Sequence, residues 1–288
     1  MVSNKGLSLF IILLFIENSL QLCVSNSAIT SCSQLTLIRN QPLSIANYKR
    51  YLEISGGTLE WIPARTFSKV SLITVLQLSR NKIKTLEEDS FSGLQDLTKL
   101  NLYDNKLEFV GKFFKECSKL EQLDLGMNKV ATITNDAFHG LNSLVELNLG
   151  FNSLALVPEA VNSLPTLKEL SLNNNNIQIL PAKVFSNLKN LETLALNDNR
   201  IAQIYENAFG GLRNLKKLAL NSNYVTDIDV DDTLQDLSAL SLLNLNINSF
   251  SCRNLEKIVS KLNRKNVNVP MGTSKSRNSF HGISCTLN

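Results

Sequence analysis

A short segment in which apolar and polar residues alternate returns along most of the chain. Eight copies fit the pattern L-x-L-x-x-N-x-L with conservative apolar exchanges, from LQLSRNKI to LNLNINSF. Such alternation is typical of a strand that buries one of its faces. The pattern therefore predicts one short strand per copy, with leucines such as Leu170 and Leu172 pointing into a core.

Each copy carries an asparagine that keeps the register of the pattern. The eight are Asn81, Asn105, Asn128, Asn152, Asn175, Asn199, Asn223 and Asn248, at intervals of 23 to 25 residues. In the run of four asparagines at 173–176, this register singles out Asn175. A sharp turn off a strand hides backbone groups that need partners, and an asparagine side chain is both a donor and an acceptor. We interpret these residues as a structural ladder rather than a functional site.

The second half of each repeat also follows a pattern. A large apolar residue lies about ten positions after the asparagine and another three residues later, as in Phe91 and Leu94. Units that cannot bury an apolar face alone stack on their neighbours. The motif resembles the extracellular "typical" class of leucine-rich repeats. The resemblance implies an α/β fold, a leucine-rich repeat solenoid with a curved parallel β-sheet on its concave face, short helical or irregular convex segments, and a cap at each end.

Four segments are predicted. The apolar run 6–16 is too short to span a membrane and fits a secretory signal, so residues 1–25 are interpreted as a signal peptide cleaved after Ser25. Residues 26–48 form an N-terminal cap, and 49–248 hold about nine repeats, the first a degenerate copy with Gly57 in the asparagine position. Residues 249–288 form a C-terminal cysteine-containing cap. With no further apolar run, we expect a secreted, extracellular protein without a membrane anchor.

The five cysteines suggest different roles. Cys117 stands in a buried apolar column and is expected to be a core residue. Domains of the class resembled here close with an aromatic residue, cysteines and a helix, which implies a disulfide between Cys252 and Cys285. For Cys32 three possibilities remain: pairing with Cys23 after an earlier signal cleavage, a bond to another chain, or a free thiol.

The non-leucine positions of the strands are expected to face the concave side, where solenoids carry ligands. Most of them are small and polar, but Tyr103, Met127 and Phe151 fall on three consecutive repeats. We expect them to form an apolar patch, opened by Gly126 and Gly150 and edged by Asp104, Asp124 and Glu146. An apolar cluster with a polar rim is typical of a contact site. The alternative is that these side chains pack against neighbouring loops at the strand ends.

The sequence offers little for catalysis. It has two histidines, His139 and His281, without a spaced nucleophile or carboxylate, and it lacks a glycine-rich phosphate loop and zinc-ligand spacing. No enzyme activity, metal or cofactor is therefore predicted.

The acidic run Asp227–Asp232 lacks the glycine and glutamate of a calcium loop and is interpreted as a solvated loop. Between Arg253 and Asn288 seven Lys or Arg residues accompany one Glu, which indicates a solvated basic cap or a polyanion-binding one.

The C-terminal cap has a single cysteine before its helix and a G-I-x-C motif at residues 282–285. It resembles the cap of short secreted leucine-rich repeat immune proteins of insects. The resemblance implies a role in innate immunity through binding of proteins or microbial ligands on the concave face. Complement-like thioester proteins or other leucine-rich repeat proteins are the implied partners, and nucleic acid is not expected. Two alternatives remain: a Toll-type ectodomain acting as a receptor or decoy, and a protein of the extracellular matrix or of cell adhesion.

Overall fold

The computed structural model describes residues 10–16, 19–33, 35, 37, 39–274 and 278–286. Within this part of the chain the strands are β1 Phe10–Ile16, β2 Ser19–Ser25, β3 Ile29–Ser33, β4 Tyr51–Glu53, β5 Trp61–Ile62, β6 Val75–Gln77, β7 Thr85–Leu86, β8 Lys99–Asn101, β9 Phe109–Val110, β10 Gln122–Asp124, β11 Thr132–Ile133, β12 Glu146–Asn148, β13 Glu169–Ser171, β14 Ile179–Leu180, β15 Thr193–Ala195, β16 Gln203–Ile204, β17 Lys217–Ala219, β18 Leu242–Asn244, β19 Ser279–Phe280 and β20 Ile283–Ser284. The helices are a 3-10 helix at Glu159–Ser163, α1 at Val230–Gln235 and α2 at Cys252–Arg264.

One long sheet contains a strand from every repeat. Its order is β1-β2-β3-β4-β6-β8-β10-β12-β13-β15-β17-β18, and the pairing is parallel from β3 onward. The register follows the repeat, so that Leu123 lies opposite Leu100 on one side and Leu147 on the other. The predicted leucine-rich repeat solenoid is therefore confirmed, and equivalent positions of successive repeats form columns along the sheet.

The core lies behind this sheet. The strand leucines, for example Leu170 and Leu172, are buried as the alternation predicts. Phenylalanines of the second half-repeat stack on one another inside the solenoid, with ring centroids 6.0 Å apart for Phe67 and Phe91 and 5.6 Å apart for Phe91 and Phe114. Stacked pairs of this kind add to the area that each ring buries.

The convex side consists of turns with few regular elements. Two-residue strands pair in parallel, β5 with β7, β9 with β11 and β14 with β16. The 3-10 helix occupies the repeat in which Val161 replaces the phenylalanine. The six-residue α1 begins after Asp229, whose carboxylate accepts hydrogen bonds from the N–H groups of Asp231 and Asp232.

The segment predicted as a signal peptide is described in part. Of the expected signal segment, residues 1–9 and 17–18 lie outside the described residues, while β1 and β2 form an antiparallel hairpin that continues the sheet to β3. Cys23 is buried and disulfide-bonded to Cys32, with Cα atoms 4.1 Å apart. A cut after Ser25 would remove Cys23, so this pairing favours the alternative in which processing occurs upstream of Cys23.

The C-terminal end of the core is covered by α2. Ser251 caps the helix by accepting a hydrogen bond from the N–H of Asn254, and Leu255, Ile258 and Leu262 form its buried face. After the helix, Asn268 bridges to Leu242 of β18, so the last sheet edge has a backbone partner. A solenoid needs such a cap because its terminal repeat would otherwise expose the core.

Candidate ligand-binding surface

The asparagine column is fully engaged in holding the strand ends. The Asn175 amide donates to the carbonyls of Leu149 and Leu172, at 2.9 and 3.1 Å, and its oxygen accepts from the N–H of Leu154 at 3.0 Å. The same three contacts recur at Asn81, Asn105, Asn128, Asn152, Asn199, Asn223 and Asn248. Each amide therefore links two adjacent repeats, which leaves no capacity for a ligand.

The residue before each of these asparagines adopts a left-handed backbone. Its φ lies between 52° and 56° at Arg80, Asp104, Met127, Phe151, Asn174, Asp198, Ser222 and Ile247. Asparagine and aspartate tolerate this region, whereas bulky apolar residues rarely adopt it. Met127 and Phe151 nevertheless hold it in consecutive repeats and are 46% and 52% exposed. The chain thus presents two large apolar side chains to solvent from a strained position.

The six candidate residues lie on neighbouring repeats but in four columns, since Asp124 and Glu146 hold different strand positions. Asp104, Met127 and Phe151 share the left-handed column, Tyr103 lies one position earlier, and Asp124 and Glu146 are at strand positions in β10 and β12. The strand-end loops are joined by backbone hydrogen bonds, from the N–H of Asp104 to Gly126 and from that of Met127 to Gly150. The structure therefore places Tyr103, Asp104, Met127 and Phe151 along one rim of the concave face and Asp124 and Glu146 on its floor, with Tyr103, Asp104 and Asp124 half-buried.

Gly126 and Gly150 do not open this patch as the sequence suggested. Both are buried, and a Cβ atom on Gly126 would lie 2.6 Å from the amide nitrogen of Asn148. On Gly150 it would lie 2.4 Å from the Asn173 oxygen. The prediction was wrong because an asparagine of the next repeat covers each glycine. The glycines are needed to leave room for those amides.

Below the rim, strand side chains form a network of polar contacts. The Asp124 carboxylate accepts hydrogen bonds from the Gly126 N–H and from the Asn148 amide, both at 2.9 Å. The Asn148 oxygen in turn accepts from the Gly150 N–H at 2.9 Å. These bonds fix the loops that carry Met127 and Phe151. The rim and the concave floor are therefore one connected unit.

The concave floor contains a groove with a volume of about 340 Å³. Its charged lining residues are Asp124, Glu146 and Glu169 against a single cation, Lys99. Burial raises the pKa of the Asp124 carboxyl, while the hydrogen bonds from Gly126 and Asn148 act in the opposite direction. The excess of carboxylates makes the groove suited to cationic groups. Sequence reasoning identified Asp124 and Glu146 but missed Lys99 and Glu169, which occupy outward strand positions like that of Glu146.

The cysteines divide into two disulfides and one buried thiol. Cys252 and Cys285 are bonded, with Cα atoms 4.9 Å apart, and tie α2 to the end of the chain. Cys117 is free and completely buried, and burial raises the pKa of its thiol to about 12. A thiol of this kind is unreactive because its thiolate is not populated near neutral pH. Cys117 is a core residue.

The acidic run Asp227–Asp232 is more ordered than a solvated loop. Asp229 caps α1, and the Asp232 carboxylate accepts from the N–H of Asn207 at 2.8 Å. Asp231 lies 2.7 Å from the Lys261 ammonium on the exposed face of α2, which lowers the pKa of Asp231. The expected solvated loop is therefore wrong, because its carboxylates serve α1 and its neighbours. No group of side chains within the described residues could hold a metal ion.

The repeat pattern is matched by a family model described as leucine rich repeat. The model matches residues 50–107, 110–154, 155–201, 165–225 and 189–250, which is more than half of the 288 residues. The chain belongs to the leucine-rich repeat family. This family builds binding scaffolds and is not a family of enzymes, in agreement with the absence of catalytic motifs from the sequence.

Toll-like receptor 13 is similar to the chain both in sequence and in structure. The chain is 33% identical over 70 residues to Toll-like receptor 13 of Mus musculus, a match that covers 24% of this chain and 7% of the receptor. A crystal structure of a TLR13–ssRNA13 complex superposes with a TM-score of 0.67 and 27% identity, covering 77% of this chain and 32% of that chain. This leucine-rich repeat protein is therefore related to Toll-like receptors and spans only part of their length.

These relatives change one expectation and leave others open. Because a structural relative is solved in complex with single-stranded RNA, the expected exclusion of nucleic acid ligands is withdrawn. Among the described residues, no helix is long and apolar enough to cross a membrane. The matches identify the class of the protein and its relationship, while the ligand depends on the surface described above.

Proposed function

We propose that this protein is a secreted, extracellular protein of innate immunity that binds a protein ligand on the N-terminal half of its concave face. The ligand places a cationic segment in the groove of Asp124, Glu146 and Glu169 and an apolar group against Met127 and Phe151. The relationship to Toll-like receptors and the resemblance to insect immune proteins support the setting. Complement-like thioester proteins and other leucine-rich repeat proteins are the partner classes implied by that resemblance.

The exposed and strained Phe151 carries the proposal. A bulky residue in the left-handed region costs about 1–3 kcal/mol and persists only where its surroundings enforce it. Asn174, Asp198 and Ser222 occupy the same position in the following repeats without comparable crowding. Large apolar side chains on a polar surface contribute strongly to binding when a partner covers them. Because the repeat turn imposes the left-handed conformation at this position throughout, it is the exposed ring that Phe151 places there which supports a binding role.

The charge of the groove supports the choice of ligand. Three carboxylates face one ammonium group, so the groove attracts Lys and Arg side chains. Protein ligands carry cationic and apolar side chains side by side, which matches the adjacent groove and rim. Single-stranded RNA, the ligand in the related complex, is included in the experiment as a competitor.

The test is affinity capture from body fluid with tagged wild-type protein and two variants, followed by non-reducing electrophoresis and mass spectrometry. Phe151→Ala removes the exposed ring, and Leu156→Ala is the control, since Leu156 is 55% exposed and lies in the same repeat away from the rim. We expect a defence protein that is captured by wild type and Leu156→Ala, depleted with Phe151→Ala, and retained when RNA is added. Equal capture by both variants, displacement by RNA, or recovery of matrix proteins alone would overturn the proposal.

A further inference from the structure

The C-terminal half of the concave face has a different chemistry from the acidic half. In β13, β15 and β17 the floor position is occupied by Ser171, Ala195 and Ala219, where β8, β10 and β12 carry Asn101, Asp124 and Asn148. Two positions later, the aromatic and glycine residues of the N-terminal half are replaced by a row of amides, Asn173, Asn197, Asn221 and Asn246. The central position of the floor is therefore small and uncharged in this half, with an amide on one side of it in each repeat, while Glu169 and Lys217 occupy an outer position of β13 and β17.

Most of these amides are not used within the chain. In the described residues, the side chains of Asn173, Asn221 and Asn246 make no hydrogen bond, whereas the Asn197 amide donates to the Asp198 carboxylate at 2.6 Å. The Asn246 oxygen is buried and lacks a partner. Buried polar atoms are nearly always paired, and one without a partner requires an explanation. The row thus has unused hydrogen-bonding capacity where the solenoid meets its C-terminal cap.

A cavity lies at the C-terminal end of the amide row. It has a volume of about 370 Å³, and its polar lining consists of Asn221, Asn244, Asn246, Thr273, Ser274 and Ser284. Ile247 and Met271 flank it and are 68% and 71% exposed. Ile247 is a β-branched residue with a φ of 55°, a conformation that such residues rarely adopt. A strained and exposed apolar side chain therefore adjoins unused amides, as at Phe151 but without carboxylates in the cavity lining.

We propose that this amide row, Asn173, Asn197, Asn221 and Asn246 with its terminal cavity, binds a neutral oligosaccharide. A hydroxyl group both donates and accepts, so it matches an amide side chain, and the alanine floor and Ile247 suit the less polar face of a sugar ring. The lining of the cavity contains no charged side chain to select an ionic ligand.

The spacing of the repeats favours a saccharide over a peptide. Adjacent strands of a sheet lie about 4.8 Å apart, whereas an extended peptide advances about 3.3 Å per residue. A peptide residue therefore misses the amide of the next repeat by about 1.5 Å, and since three residues match two repeats, a peptide can contact only alternate amides in register. A monosaccharide unit in an extended 1,4-linked chain is close to one strand spacing in length, so successive sugars can contact successive amides. The proposal thus adds a second ligand class to the proposed function and uses different residues.

Isothermal titration with cellohexaose and chitohexaose tests this site. The variant Asn197→Ala/Asn221→Ala removes two consecutive amides, and Asn190→Ala/Asn214→Ala is the control, because those exposed asparagines also lie in consecutive repeats but bond the Pro165 and Lys189 carbonyls on another side. We expect at least one hexasaccharide to bind wild type, with affinity reduced roughly tenfold or more in the first variant and within about twofold in the control.

A steric variant separates the site from a loss of folding. Ala219→Phe fills the floor and leaves the asparagine ladder intact, so we expect it to abolish saccharide binding while the thermal unfolding profile stays close to that of wild type. Phe151→Ala should leave saccharide binding unchanged, which distinguishes this proposal from the protein-binding one. Absence of binding by both hexasaccharides, or equal binding by wild type and both floor and amide variants, would overturn the inference.

Discussion

At the scale of single residues, adjacent asparagines have different roles because they occupy different positions of the repeat. Asn175 satisfies three backbone groups of two repeats and is buried. Asn176, its neighbour, uses no side-chain hydrogen bond within the described residues and is half-buried. The sequence register distinguishes the two asparagines. Asn175 lies three residues after Leu172, as in every repeat, and only this position places an amide inside the turn.

This difference predicts unequal effects on stability. Asn175→Ala leaves the Leu149 and Leu172 carbonyls and the Leu154 N–H without their partner, so we expect the free energy of unfolding to fall by about 2–4 kcal/mol. Asn176→Ala should change it by less than about 0.5 kcal/mol. Urea unfolding of both variants measures the difference, and equal losses would contradict the role assigned to the column.

Asp124 predicts a pH-dependent effect. Because burial raises its pKa in the native state, the native protein holds this proton more tightly than the unfolded chain, and stability falls as the pH rises through the native pKa. Asp124→Asn removes the charge, and its amide oxygen can still accept from Gly126 and Asn148. We expect the variant to be at least as stable as wild type at about pH 7, with the difference vanishing near pH 3. A variant that is less stable at pH 7 in urea unfolding would refute this.

At the scale of elements, the caps hold the ends of a structure in which each repeat contacts only its neighbours. α2 covers the last repeat with one apolar face, and the Cys252–Cys285 disulfide ties its first residue to the end of the chain. At the other end β2 pairs with β3 and Cys23 is bonded to Cys32, whereas β1 lies within the apolar run predicted to be a secretory signal. Cap integrity therefore governs where unfolding begins.

The two disulfides should contribute unequally. The Cys252–Cys285 bond spans 33 residues of sequence and the Cys23–Cys32 bond spans 9. Loop entropy predicts that Cys252→Ser/Cys285→Ser lowers the free energy of unfolding by about 3–4 kcal/mol, and that Cys23→Ser/Cys32→Ser costs about 1 kcal/mol less. Urea unfolding of both variants, with hydrogen exchange of α2, provides the measurement. An undiminished stability in the first variant would show that the bond does not secure the cap.

Much of each repeat follows from the sequence, and the remainder depends on contacts between repeats. Leucine alternation gives the strands, and the asparagine step gives the turn, because both are local patterns. The contact of Asn148 with Gly126 could not be read in this way, since it brings a side chain of β12 over the backbone of a loop 22 residues earlier. Glu169 joins the groove for the same reason: only the parallel register places it beside Glu146. The site is less predictable than the fold because it is built across repeats.

At the scale of the whole molecule, one continuous sheet carries two surfaces of different chemistry. Its N-terminal half combines an acidic groove with the exposed ring of Phe151 and the thioether of Met127, and its C-terminal half is rich in amides and ends in a cavity without charged side chains. The repeat geometry is nearly constant along the sheet, so the change in side chains alone produces this division. A single solenoid can therefore hold two ligands of different classes without any change of fold.

The most direct test of the protein-binding proposal is a titration of the purified ligand with wild type, Phe151→Ala, Asp124→Asn and Leu156→Ala. We predict that Phe151→Ala and Asp124→Asn each weaken binding by about tenfold, that the Asp124→Asn difference shrinks at high salt, and that Leu156→Ala stays within about twofold of wild type. Unchanged affinity for both Phe151→Ala and Asp124→Asn would contradict the assignment of the groove and rim as the binding surface.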